Sequence, residues 1–221
     1  MTIGTSDLKS YFEGKKLNGN SYLVKTYEGR FNNETRFELF LVDRDAITEK
    51  PVIYGRYFTG ESYYRPWLEI HYNETIDFGS RKLSLMEVRM DEELFKQLSG
   101  LLPPASHIMV FYSDYPETEK ALSLDVPPPA TYIGYLLFMA GCTWFKDWYF
   151  PEGFMEGGVK LQGNKPLNEE HRRKALSRLK SELLQFLERD KGESGLLLDA
   201  EKRAKKVLNL IENELQGSDE K

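Results

Sequence analysis

The side chains that could take a proton, hold a metal or form a bond are few in this chain. His71, His107 and His171 stand far apart with no cysteine near them, so they do not form the clustered ligand set that a metal site needs. Cys142 follows Gly141 at the end of an apolar run, a place where a free thiol behaves as a small hydrophobe and not as a nucleophile. A phosphate-binding loop, a G-x-S-x-G elbow and a G-x-G-x-x-G turn are all absent from the sequence, which removes the enzyme classes they announce. Two aromatic stretches remain. Tyr63-Tyr64-Arg65-Pro66-Trp67 precedes a run with Glu69 and His71 on one face, and aromatics with a few polar groups form pocket walls as well as core edges. The run WFKDWYFPEGFMEGGVKLQG, Trp144 to Gly163, places Lys146 between Trp144 and Trp148 on one face of an extended strand, a cation–π arrangement. Its glycine pair, Gly157-Gly158, fits a β-bulge first and a close approach of ligand to backbone second.

These residues need elements to hold them. Ser6 precedes a short helical pattern ending near Gly14, and strand-like runs follow at Tyr22 to Tyr27, Arg36 to Val42 and Val52 to Phe58, rich in β-branched and aromatic residues between turn signals. The last two form a hairpin across the polar link Asp43 to Lys50. Trp67 to Tyr72 and Leu83 to Met90 are expected to extend the same sheet, with Glu87 and Arg89 paired on one face of the latter. Asp91 reads as the N-cap of a helix through Leu102 that Pro103-Pro104 stops. A strand at His107 to Tyr112 comes next. Pro127-Pro128-Pro129 then opens a helix, apolar all round, from Ala130 to Gly141. Trp144 to Phe150 and Phe154 to Gln162 close the sheet as a hairpin. From Asn168 the period is helical: Leu176, Leu179, Leu183 and Phe186 make one seam, Ala200, Ala204, Val207, Ile211 and Leu215 another, an αα-hairpin that packs on the sheet or on a partner.

The whole chain has 221 residues, 40% hydrophobic and 29% charged, with 29 aromatics, enough apolar surface for one main core and against disorder. The net charge is -5. Residues 1–166 carry 18 basic and 23 acidic side chains and residues 167–221 carry 12 of each, so neither part shows the basic excess of a nucleic-acid reader. The cluster His171 to Lys174 with Arg178 and Lys180 shares its helix with Glu169, Glu170, Glu182 and Glu188 and reads as a solvated face of mixed ion pairs. The apolar stretch Val126 to Phe145 is broken by prolines and glycines and its helical part is too short to cross a bilayer. The first residues lack a secretory run and one cysteine makes no internal disulfide, so a cytoplasmic location is expected.

The run WFKDWYFPEGFMEGGVKLQG, with LLPPASHIMVFY and VPPPATYIGYLLFMAGC upstream, resembles a family of uncharacterised prokaryotic, mainly archaeal, proteins over roughly Asn20 to Pro166. The order of its elements is similar to the second half of the GNAT-type acyltransferase fold, a likeness of shape. GNAT enzymes hold the pyrophosphate of coenzyme A on an R/Q-x-x-G-x-G/A turn after the fourth strand; here that position reads Met90-Asp91-Glu92-Glu93, whose carboxylates repel an anion. The late-helix motif L-Y-x-x-x-G-F aligns with Leu136 to Cys142, with Leu137 where the tyrosine stands. A rival likeness, to the carboxyl-terminal half of a class I methyltransferase, lacks the glycine-rich loop for S-adenosylmethionine.

The expected fold is α+β or α/β, a mixed, mostly antiparallel twisted sheet with packed helices. Residues 1–166 form one GNAT-like domain, 167–216 a helical hairpin and 217–221 a disordered tail. The GNAT likeness implies an N-acyltransferase, or a degenerate ligand-binding relative, acting on a small-molecule or peptide amine with a coenzyme A thioester as donor. Its pocket is expected between Leu83 to Met90 and His107 to Tyr112, with Glu87 as general base, Tyr135 as general acid, and Trp148, Gly157, Gly158 and Lys160 lining the acceptor side. The alternative is a non-catalytic homo-oligomeric assembly or binding module, for example a homodimer, joined through the carboxyl-terminal helices.

Overall fold

The computed structural model describes residues 16–17, 20–29, 33–43, 46–58, 60, 65–72, 75–78, 81–84, 95, 102–112, 116–150, 158–189 and 195–217. Its main sheet contains β1 (Lys16–Leu17), β2 (Asn20–Glu28), β3 (Glu34–Asp43), β4 (Ala46–Ile47), β5 (Ile53–Phe58), β6 (Trp67–Tyr72), β9 (His107–Tyr112), β10 (Trp144–Phe150) and β11 (Gly158–Asn164). They lie in the order β1-β2-β3-β5-β6-β9-β11-β10, with β4 added to β3. Neighbours are antiparallel except β6 and β9, which run parallel from Trp67 opposite His107 to His71 opposite Phe111. β10 and β11 fold back as a hairpin, and it is β11 that lies against β9.

Period-two alternation gives the sheet one apolar face. Leu39, Ile53, Ile70, Ile108, Val110 and Leu161 are fully buried on it, with Phe37 and Leu68 almost so. Against this face lies helix α2 (Tyr132–Met139), through Ile133, Leu136 and Leu137. Thr131 caps α2 by accepting from the Gly134 amide at 3.0 Å, as a threonine N-cap does. At its other end Gly141 takes φ 90°, a left-handed conformation that glycine adopts without strain. There the amides of Gly141 and Cys142 return to the carbonyls of Phe138 and Leu137, which satisfies the last turn. Gly163 matters for another reason: a Cβ there would lie 2.8 Å from Cys142 Sγ, so β11 approaches the end of α2 only because that position has no side chain.

The far side of α2 is also apolar. Tyr135 and Phe138, with Ala121 of α1 (Pro116–Ser123) and Ala130 of a 3-10 turn (Pro128–Ala130), pack on α3 (Glu169–Glu188) and α4 (Gly195–Gly217). The expected seams are buried at Leu176, Leu179, Leu183 and Phe186 on α3 and at Ala200, Ala204, Val207 and Ile211 on α4, while Leu215, expected in the second seam, is only partly buried. Each large seam residue contributes roughly 1.5–3 kcal/mol by burial. Asn168 caps α3 by accepting from the His171 amide at 2.9 Å. Three members of the basic cluster form ion pairs: Arg172 with Glu214, Lys180 with Glu212 at 2.8 Å and Arg178 with Glu182 at 3.3 Å. Arg203 ties α4 to the 3-10 turn through the Ala130 carbonyl at 2.8 Å.

Three expectations change. Leu83 belongs to β8 (Arg81–Ser84), which pairs with β7 (Thr75–Phe78) in a separate two-stranded sheet, because alternation within a segment does not specify its partner. Ala130 to Gly141 is not one helix: the 3-10 turn and Thr131 precede α2. Helix α1 fills a stretch left unassigned. Of the helix expected from Asp91 through Leu102, Phe95 is described as a buried helical residue and Leu102 as a buried residue in a bend, outside the helix; the expected helix near Ser6 and the faces assigned to residues 85–90 lie outside the described residues. Helix α4 extends through Gly217, the first residue of the expected tail.

Candidate functional site

The alternation that buries Leu68 and Ile70 turns Trp67, Glu69 and His71 of β6 to the other face of the sheet. The ladder register then brings Arg56 of β5 opposite Glu69, and Arg36 of β3 opposite Arg56. Arg56 donates from Nη2 to both oxygens of Glu69, at 2.9 and 2.7 Å, and from Nε to Oε1 at 3.2 Å, the forked geometry that suits a carboxylate. Its guanidinium also lies 5.3 Å from the Trp67 ring centre. His71 Nε2 is 2.6 Å from Glu69 Oε1.

Glu69 is buried, which on its own pushes its carboxyl up, but the hydrogen bonds from His71 and Arg56 and the charge of Arg56 outweigh burial and hold it below the ordinary value. An ionised Glu69 accepts a hydrogen bond, so the Nε2–H of His71 donates and Nδ1 is the nitrogen that can accept a proton. The ring is fixed between Tyr54, 4.8 Å away with 11° between planes, and Phe111, 4.4 Å away with 9°. Behind Arg56 stands Glu34, whose side chain is fully buried, 3.8 Å from Arg56 Nη1 and 3.5 Å from Arg36 Nε. Neither oxygen of Glu34 makes a hydrogen bond, so it supports the arginines through charge alone.

The residues singled out in the sequence divide into three groups. His71, Phe111, Lys160 and Trp148 occupy successive positions of one row across β6, β9, β11 and β10, so the backbone brings Trp148 and Lys160 into line with His71. Gly158 pairs with Phe150 at the end of the same hairpin. Tyr135 lies on the far side of α2 under Lys206, whose Nζ is 4.9 Å from the ring centre; the sheet stands between it and His71. Glu87 and Gly157 lie outside the described residues. The pocket expected between Leu83 to Met90 and β9 does not form in the main sheet, where both edges of β9 are taken by β6 and β11. Glu69 and His71 were visible in the sequence as one face of a strand; Arg56 and Glu34 were not, and the signal that finds them is the register of β3, β5 and β6.

Cys142 is wholly buried, and burial pushes its thiol up to about 12, with Lys165 acting in the opposite sense; it is inert as a nucleophile at neutral pH. Among the described residues no three His, Cys, Asp or Glu side chains gather as a metal site, and no helix is long and apolar enough to cross a membrane. An open groove of about 300 Å³ lies away from His71, lined by Asp125, Asp147, Glu182 and Arg189 among others. Its charges are mixed and it holds no proton-accepting pair like that of His71 and Glu69.

A family model described as "Protein of unknown function (DUF1122)" matches residues 18–190. A solved structure of a protein of unknown function from Aquifex aeolicus VF5 is similar at 29% identity and a TM-score of 0.65, covering 94% of this chain and 100% of that one. No curated protein matches.

Proposed function

Since the chain belongs to the DUF1122 family of proteins of unknown function, a membership that brings no activity with it, we propose from the site itself that it is a GNAT-like protein that takes an amine and removes a proton from it at His71. The observation that carries this is the Arg56–Glu69–His71 array, which spans β5 and β6 beside the parallel step. An amine is a nucleophile only after its ammonium form loses a proton. Nδ1 of His71 accepts that proton, Glu69 at 2.6 Å from Nε2 stabilises the imidazolium that results, and Arg56 keeps Glu69 from taking the proton instead. Tyr54 and Phe111 hold the ring in place during the transfer. Trp148 and Lys160, next in the same row, are assigned to the acceptor side with Gly157 and Gly158.

The sheet order supports the GNAT likeness: antiparallel strands β2-β3-β5-β6, one parallel step to β9, and a hairpin that returns beside it. Two departures set limits. Residues 29–33 are all that separates β2 from β3 in the sequence, where such enzymes carry a pair of helices. The coenzyme A pyrophosphate does not fit the donor set at Met90-Asp91-Glu92-Glu93, whose carboxylates repel it. An acyltransferase with another donor, or a relative that binds amines without transfer, satisfies both. Glu87 is the competing base, and Tyr135 as acid requires a proton path around the sheet.

The test is a thermal-shift titration with spermidine, agmatine, acetyl-CoA, CoA and S-adenosylmethionine. A ligand at 100 times its dissociation constant stabilises by about 2.7 kcal/mol, a midpoint shift of roughly 5 to 10 °C at this size. We expect an amine to give such a shift and His71→Asn to abolish it while Glu87→Gln leaves it. A shift with S-adenosylmethionine alone, or an amine response unchanged in His71→Asn, overturns the proposal. The assembly reading loses its seams, which are filled within the chain; Leu184, Leu198 and Leu210 are what α3 and α4 still expose to a second copy.

A further inference from the structure

On the same face as His71, four residues back along the strands and so about 13 Å away, a second polar cluster has no part in the proton chemistry. Its row reads Trp67, His107, Asn164, Trp144 across β6, β9, β11 and β10, and Gln162 stands two residues before Asn164 on the same face. His107 Nδ1 is 2.7 Å from Asn164 Oδ1, and Gln162 Nε2 donates to that oxygen at 2.9 Å. Gln162 Nε2 also lies 3.2 Å from His107 Nδ1; in the tautomer with its proton on Nδ1, His107 donates to Asn164 Oδ1 and presents Nε2 as an acceptor. Among the described residues no hydrogen-bond partner stands at Asn164 Nδ2, His107 Nε2 or Gln162 Oε1, and none is a buried unpartnered atom. One donor group and two acceptors are therefore held by a fixed network and left unspent at the surface. Trp144, cross-strand from Asn164 and 38% exposed, adds a flat apolar surface; the Trp67 ring is already stacked on Phe58 at 5.7 Å.

We propose that His107, Gln162, Asn164 and Trp144 form a binding site for a neutral saccharide. A hydroxyl both donates and accepts, so adjacent sugar hydroxyls match a donor set beside acceptors, and the C–H face of a sugar ring lies on an indole. Charge selects against the alternatives. Gln162, Asn164 and Trp144 carry no charge, Glu69 and Arg56 in the next row neutralise each other, and Lys146, cross-strand from Gln162, is one cation. A phosphate or polyanion asks for more.

The test is a titration of the full, 15N-labelled chain with maltotriose, cellotriose, chitotriose and lactose, and separately with adenosine, following the Trp144 indole and the Asn164 and Gln162 side-chain amide resonances. At least one saccharide is expected to shift these resonances saturably. Asn164→Ala and Trp144→Ala should each weaken it by about tenfold or more, the loss of one hydrogen-bonded or stacked group, with the remaining resonances unmoved as evidence of folding. His71→Asn should leave the affinity unchanged, which separates this site from the amine site. Absence of a saturable shift with all four sugars at tens of millimolar overturns the proposal, as does binding that survives both substitutions. Tighter binding of adenosine than of any sugar overturns the ligand class.

Discussion

At Glu69 the balance between burial and compensation can be measured. Its carboxyl titrates below the ordinary value in the folded protein. A group with a depressed folded value contributes stability above its unfolded value, about 4.3 for a glutamate, and loses that contribution as the pH falls through the folded value. Glu69→Gln removes the charge and leaves Arg56 facing a neutral amide in a largely buried position. The expected cost is about 2 kcal/mol at pH 7, less than the full loss seen when a buried pair is broken outright. Thermal midpoints should differ by several degrees at pH 7 and converge toward pH 3; a gap that persists in acid would mean that packing and not charge is what Glu69 supplies. Glu69 and His71 stand out in the sequence because two residues of separation place them on one face. Arg56 and Glu34 do not, since they reach the site across two ladder steps and carry no local pattern.

Among the elements, neighbouring leucines of α3 separate seam from surface. Leu183 is wholly buried and Leu184 is 39% exposed. Leu183→Ala should cost about 2–5 kcal/mol and Leu184→Ala less than about 0.5 kcal/mol, both read from urea midpoints. Comparable losses would place α3 in a different rotation from the one described. The long elements were legible where their period runs for several turns or residues, as in α3, α4, β6 and β9. Helix α1 was not: its eight residues include two apolar side chains, Ala121 and Leu122, too few to show a period, although Pro116 with Glu117 and Glu119 is a helix-start signal. Leu83 shows the opposite failure, a good alternation attached to the wrong sheet, because pairing is decided by the rest of the molecule.

For the whole molecule the question is whether residues 1–166 stand alone. The apolar far side of α2, with Tyr135, Phe138 and the neighbouring Ala121 and Val126, is covered by α3 and α4, and Arg203 satisfies the Ala130 carbonyl there. Deleting residues 167–221 uncovers that surface. We expect the remainder to bind a hydrophobic dye and to lose its cooperative thermal transition; a soluble, cooperatively melting fragment would show that the hairpin is an appendage and not part of the core. Composition and helical period indicated an αα-hairpin, but which surface it covers followed only once α2 was seen to be apolar on both sides.

The parallel pairing of β6 with β9 has a consequence for how the chain reaches this structure. The antiparallel pairs β2–β3 and β3–β5 close over short links, whereas β6 and β9 meet across residues 73–106. Closing the longer loop costs roughly 1–2 kcal/mol more in chain entropy than closing a short turn, and no single hairpin recovers it. The meander from β2 to β6 and the segment from β9 to α4 can each gather contacts locally, while the five pairs between Trp67–His107 and His71–Phe111 join the two halves. The ladder beside His71 is thus the line along which the two halves of the sheet meet, and Phe111 stacks on the His71 ring only once they have met.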